Sequence, residues 1–81
     1  MLISEAIAKI KEQLKLKDQY EVARTLGISQ ATVSNYMKGK SYPTLSVATK
    51  IYGEYGYRVE PFTESALKKE WEFYTKHGLN K

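Results

Sequence analysis

Leu2, Ile3, Ala6, Ile7, Ile10 and Leu14 recur at one-, three- and four-residue steps, with mostly polar residues between them. That period gathers them on one stripe and predicts an amphipathic helix over about residues 2–15. Asp18, with Glu21 three residues on, has the form of a capping box and opens a second helix. Val22, Ala23 and Leu26 are its inward residues. Gly27 ends it, because a tight turn needs the left-handed backbone that glycine adopts freely. Ile28 is expected to fill the space beneath that turn. Ser29 caps a third helix through about Lys38, with Val33, Tyr36 and Met37 as its apolar contacts.

The run Gly39-Lys40-Ser41-Tyr42-Pro43 breaks the pattern. Thr44 opens a fourth helix with Leu45, Val47, Ala48, Ile51 and Tyr52 facing the core, and Gly53 and Gly56 mark its fraying end. Tyr57 to Phe62 reads as extended, since Pro61 disfavours helical backbone at Glu60. It is taken as a linker; the alternative is a short strand paired with a symmetry mate. Thr63 caps a last helix to about His77, ended by Gly78. The expectation is an all-α, five-helix single domain over residues 1–81. Residues 1–56 form the four core helices, and 57–81 an extended segment plus a C-terminal helix available for dimerisation.

Composition narrows the picture. A chain of 81 residues has room for one small core. With no cysteine, neither disulfides nor thiolate metal sites can support it. No apolar run approaches the roughly 20 residues that cross a bilayer, and the N-terminus lacks a basic leader region. A cytoplasmic protein is expected. The net charge of +4 suits a polyanionic partner. Most of the cations fall in three groups: Lys9, Lys11, Lys15 and Lys17 early; Arg24, Lys38 and Lys40 around the two short helices; Lys68, Lys69, Lys76 and Lys81 at the end.

Two short helices broken at a glycine, with a small residue at Ala23 where they cross, meet the packing demands of a helix-turn-helix. The segment resembles the helix-turn-helix of the lambda-repressor-like, Cro/XRE-type DNA-binding family. Gln-x-x-Val-Ala at 19–23, Leu-Gly-Ile-Ser at 26–29, Gln-x-x-Val-Ser at 30–34 and Lys-Gly-Lys before Pro43 carry the resemblance. The match is strong over about residues 18–52. It implies a lambda-repressor-like fold in which the third helix enters the major groove of double-stranded DNA.

The resemblance also implies roles. Gln19 would bind a phosphate and brace Gln30. Gln30 could then bond adenine N6 and N7, as amide geometry allows. The other base-facing positions correspond to Ala31 and Asn35, with Thr32 and Ser34 near the backbone or groove edge. Ala31 could offer only an apolar contact, such as one to a thymine methyl. No arginine faces the bases, which points to A·T-richer contacts. Lys38, Lys40 and Tyr42 would anchor the sugar-phosphate backbone, with amides around Thr44 adding a neutral phosphate contact. The plainer alternatives are a solvated helix face, lysines that solubilise a loop, and a Tyr42 stacked under Pro43. Arg24 could reach phosphate or pair with Glu21 or Asp18.

The last third is rich in aromatics. Leu67, Trp71 and Tyr74 share a stripe, with Ala66, Phe73 and His77 beside it, and Tyr55, Tyr57, Val59 and Phe62 lie nearby. Tyr57, Val59, Phe62, Leu67, Trp71 and Tyr74 are candidates for a two-fold interface, or else they close the monomer core. Catalysis has little to stand on. His77 is the sole histidine, at a helix end where a cation complements the dipole, and Glu70 and Glu72 diverge around a helix. No enzyme activity, cofactor, metal or small-molecule ligand is expected. The expected function is a Cro-like repressor, from a phage, prophage or other mobile element, bound as a homodimer to a two-fold operator. Two alternatives are an antitoxin whose apolar C-terminal patch masks a toxin, and an interaction module that binds a regulator or polymerase.

Overall fold

A computed structural model describes residues 1–77 of the chain. Five helices follow one another: α1 (Ile3–Gln13), α2 (Gln19–Leu26), α3 (Gln30–Met37), α4 (Leu45–Tyr55) and α5 (Glu64–His77). Among the described residues there is no strand, so the all-α expectation holds. The expected helix stop at Gly78 and the cation Lys81 lie outside the described residues.

The caps explain where the helices begin. Asp18 accepts the Glu21 N–H at 3.0 Å, and Ser29 accepts the Thr32 N–H at 3.1 Å. Thr44 accepts the Val47 N–H at 3.3 Å, and Thr63 accepts the Ala66 N–H at 3.2 Å. Each satisfies one of the amides that a helix start leaves without an internal partner. The Glu21 carboxylate reaches back to the Lys17 N–H, one residue beyond the expected box. Leu2 precedes α1 without a side-chain acceptor, and its own N–H donates to Glu5 Oε1 at 2.9 Å.

The helix ends share one device. After α2, the Ile28 N–H donates to Ala23 O at 3.0 Å and Gly27 takes φ 70°. After α3, the Lys40 N–H donates to Asn35 O at 2.9 Å around Gly39 at φ 72°. After α1, the Leu16 N–H donates to Lys11 O at 2.9 Å, but the left-handed residue is Lys15, at φ 55°.

Ile7 and Ile10 of α1, Val22 of α2, Val33 of α3, Ile51 of α4, Val59 and Leu67 of α5 are fully buried. Burying each such side chain contributes about 1.5–3 kcal/mol. Helix α1 packs on both α2 and α3, α4 touches α2, and α5 lies chiefly along α4. The stripe is narrower than its period implied. Leu2, Leu14, Met37 and Leu45, all expected to face inward, are exposed. Each lies at or next to a helix terminus, where the neighbouring helix no longer covers it.

Two further expectations change. Gly53 is no fraying end: it lies inside α4, and a Cβ there would stand 2.1 Å from Trp71 Cδ2. The glycine is the seat of the indole. The segment after α4 forms no strand, yet its backbone is paired: Glu60 N–H donates to Met1 O, and the Met1 amino group to Arg58 O, both at 2.8 Å. Val59, between them, points into the core.

Candidate nucleic-acid interface

Residues 18–38 build the interface from three pieces: a capped helix, a closed turn and a second capped helix. The turn is held twice, by Gly27 N–H to Arg24 O at 3.3 Å and by the Ile28 bond to Ala23. Ala23 is buried, its methyl within the shared core of α1, α2 and α3. Ile28 is only half-buried; it packs on the core but leaves a groove of about 180 Å3 beside Val47, Lys50, Trp71 and Tyr74.

Helix α3 turns Val33 and Tyr36 into the core, which fixes what it shows outside. Gln30, Ala31 and Asn35 are exposed, and Thr32 and Ser34 are half-buried. No residue from Gln30 to Met37 carries a charge. The Thr32 hydroxyl lies 2.7 Å from the Ser29 hydroxyl, so it belongs to the cap of its own helix. That bond holds the Thr32 side chain in one place on the first turn.

The flanking residues are exposed: Gln19 at the start of α2, Lys38 at the end of α3, then Lys40, Tyr42 and Thr44. Tyr42 stands out in solvent, whereas Pro43 beside it is buried, so the expected alternative of a tyrosine held under the proline is not what the fold adopts. The first amides of α4 have no partner within the helix. The Arg24 guanidinium lies 5.9 Å from the Tyr20 ring centroid, a cation–π contact on the outer side of α2.

A family described as Helix-turn-helix matches residues 7–62, the stretch that contains α2, the turn and α3. The chain belongs to this helix-turn-helix family, of the Cro/C1 type. As a member of it the chain is a DNA-binding regulator. Neither a curated protein nor a solved structure matches the chain at a significant level. Among the described residues of this helix-turn-helix protein, no cluster of side chains could hold a metal ion. No described helix is long and apolar enough to cross a membrane.

The expected interface residues of the C-terminal third separate into two groups. Val59 and Leu67 are fully buried in the monomer core and offer nothing to a partner. Tyr57, Phe62, Trp71 and Tyr74 are half-buried. The Tyr57 hydroxyl donates to Gln13 Oε1 at 3.0 Å and the Tyr74 hydroxyl to Ser46 Oγ at 3.1 Å. Trp71 lies on Gly53. Much of the aromatic surface thus fastens α5 and the segment before it to the rest of the helix-turn-helix protein.

Proposed function

We propose that the chain is a sequence-specific transcriptional regulator. It acts in a bacterial or phage-infected cytoplasm as a Cro-like repressor, bound as a homodimer to two-fold related DNA. The observation that carries this reading is the outer surface of α3: exposed Gln30, Ala31 and Asn35, with no charge on the helix and the cations Lys38 and Lys40 just beyond it. A helix made only for solvation would favour Glu and Lys, the better helix formers.

Gln30 and Asn35 each carry an amide that can donate to N7-side acceptors and accept from N6, the pattern adenine shows in the major groove. Ala31 and the Thr32 methyl offer apolar contact to thymine. Gln19, Lys38, Lys40, Tyr42 and the amides at Thr44 hold phosphates; they set register and orientation and carry no sequence information. Occupying a promoter in this way excludes polymerase, which is repression.

Selection of bound sequences from random duplex DNA tests this directly. The wild-type chain should enrich a two-fold sequence. Gln30→Ala and Asn35→Ala should each lose preference at one or two base positions per half-site, at about 1–3 kcal/mol apiece. Lys38→Ala should instead weaken all sequences alike and lower the salt slope by about 1. Weak, uniform binding with no enriched two-fold sequence would sink the reading.

A further inference from the structure

The groove of about 180 Å3 beside the helix-turn-helix has three walls. Ile28, in the turn between α2 and α3, forms one, and α4 supplies Val47, Lys50 and Glu54. Trp71 and Tyr74 of α5 form the third. None of its lining residues is among those assigned above to DNA. We propose that this groove binds a free amino acid with an aromatic side chain. The ring lies against Ile28 and Trp71, the carboxylate on the Lys50 ammonium and the α-ammonium on the Glu54 carboxylate. No motif announces such a site, because its residues come from three separate stretches of the chain.

Size is the first argument. An apolar cavity of about 150 Å3 takes one benzene ring, whereas drug-sized ligands and cofactors need about 300 Å3 or more. At about 180 Å3 the groove has room for one ring and a short polar end. Charge is the second. Lys50 and Glu54 stand four residues apart on α4, which puts them on one side of the helix with Cβ atoms about 5–6 Å apart. Lysine ahead of glutamate is the weaker orientation of such a pair, so both charges are open to a ligand. A ligand of single charge would be attracted by one of them and repelled by the other; a zwitterion satisfies both. An amino acid carries its two charges on one carbon, a separation that fits between these side chains. Lys50 is half-buried, and its Nζ lies 3.9 Å from where a Cβ on Gly27 would stand, so the ammonium is at the turn.

The third argument is that the aromatic wall is built before a ligand arrives. The Trp71 ring is seated on Gly53, and the Tyr74 hydroxyl donates to Ser46 Oγ at 3.1 Å. Rings already held in place cost a ligand little ordering.

Trp71 is the sole tryptophan, so its emission reports the site directly. Phenylalanine titrated into the full chain should change that emission saturably, with a Kd on the order of 0.1 mM. Three analogues dissect the recognition: 3-phenylpropionate lacks the ammonium, phenethylamine lacks the carboxylate, and N-acetylphenylalaninamide carries neither charge. Each should bind at least tenfold more weakly. Lys50→Gln should bind phenylalanine and phenethylamine equally, and Glu54→Gln should bind phenylalanine and 3-phenylpropionate equally. Glutamine is a good helix former, so both variants should melt as wild type does. No saturable change with phenylalanine, by emission and by calorimetry, overturns the proposal. So do analogues that bind as well as phenylalanine, the uncharged one marking a groove for a side chain of another protein instead. Affinity for phenylalanine unchanged in both variants overturns it too. The whole test runs without DNA, so its failure leaves the DNA reading standing.

Discussion

Two single residues depart from local preference. Lys15 takes φ 55° at the end of α1, in the left-handed region that its counterparts after α2 and α3 fill with glycine. For a residue with a Cβ that conformation costs roughly 1–2 kcal/mol. It is held by the Lys15 N–H to Glu12 O and Leu16 N–H to Lys11 O bonds, and by Leu16, which packs on the core. Lys15→Gly should therefore raise stability by about 1 kcal/mol, seen as a higher urea midpoint with an unchanged slope. The other residue is Thr49, fully buried in α4 with no partner for its hydroxyl among the described residues. An unsatisfied buried hydroxyl costs about 1–3 kcal/mol. Neither departure shows in a pattern of hydrophobic and polar positions.

At the scale of elements, the decisive contact is α4 against α5. The backbone of Gly53 gives the Trp71 indole its place, and a Cβ would meet three ring atoms at 2.1–2.4 Å. Gly53→Ala should destabilise the chain by about 1–3 kcal/mol or more, since a rigid ring must shift from a packed seat. Tryptophan fluorescence and thermal unfolding would show it, and an unchanged emission with an unchanged melt would refute it. Most element boundaries were legible beforehand, because Asp18, Ser29, Thr44 and Thr63 cap helices by chemistry that acts within three or four residues. The candidate DNA residues were legible for the same reason: Val33 and Tyr36, once inward, leave Gln30, Ala31 and Asn35 outward. What periodicity does not contain is where a neighbouring element stops. Hence Leu2, Leu14, Met37 and Leu45 were expected inside and lie outside. Val59 and Leu67, read as either partner-facing or core-closing, close the core. Gly53 read as a weak helix end, because only the tertiary partner 18 positions later reveals its use.

At the scale of the whole molecule, α5 is joined to the rest by tyrosines as well as by apolar burial. Tyr52 Oη donates to Glu64 Oε2 at 3.2 Å. Loss of hydration, then the Glu64 charge and that hydrogen bond, and finally Glu72, raise the Tyr52 pKa above its ordinary 10.0. Burial and the nearby Glu54 raise Tyr55 as well. An acid whose pKa is raised on folding ionises first in the unfolded chain. Its contribution is complete below pH 10.0 and is lost as pH rises through the folded value. Stability should therefore fall on the alkaline side above about pH 10. Glu64→Gln should move the Tyr52 titration, followed by ring NMR shifts, back toward 10.0. An unmoved titration would remove Glu64 from the explanation.

The absence of charge from α3 has a further consequence for the molecule as a reader of DNA. Its cations sit on the flanks, at Lys38 and Lys40, while Gln30 and Asn35 are neutral at every accessible pH. Under the proposed roles, in which Lys38 and Lys40 hold phosphate and Gln30 and Asn35 read the bases, ions in the medium compete with the flanks on right and wrong sequences alike. The ratio between those sequences is left to neutral amides, which dissolved ions do not displace. Time spent on any duplex should thus follow the salt of the cell closely, while the fidelity of the choice stays nearly constant.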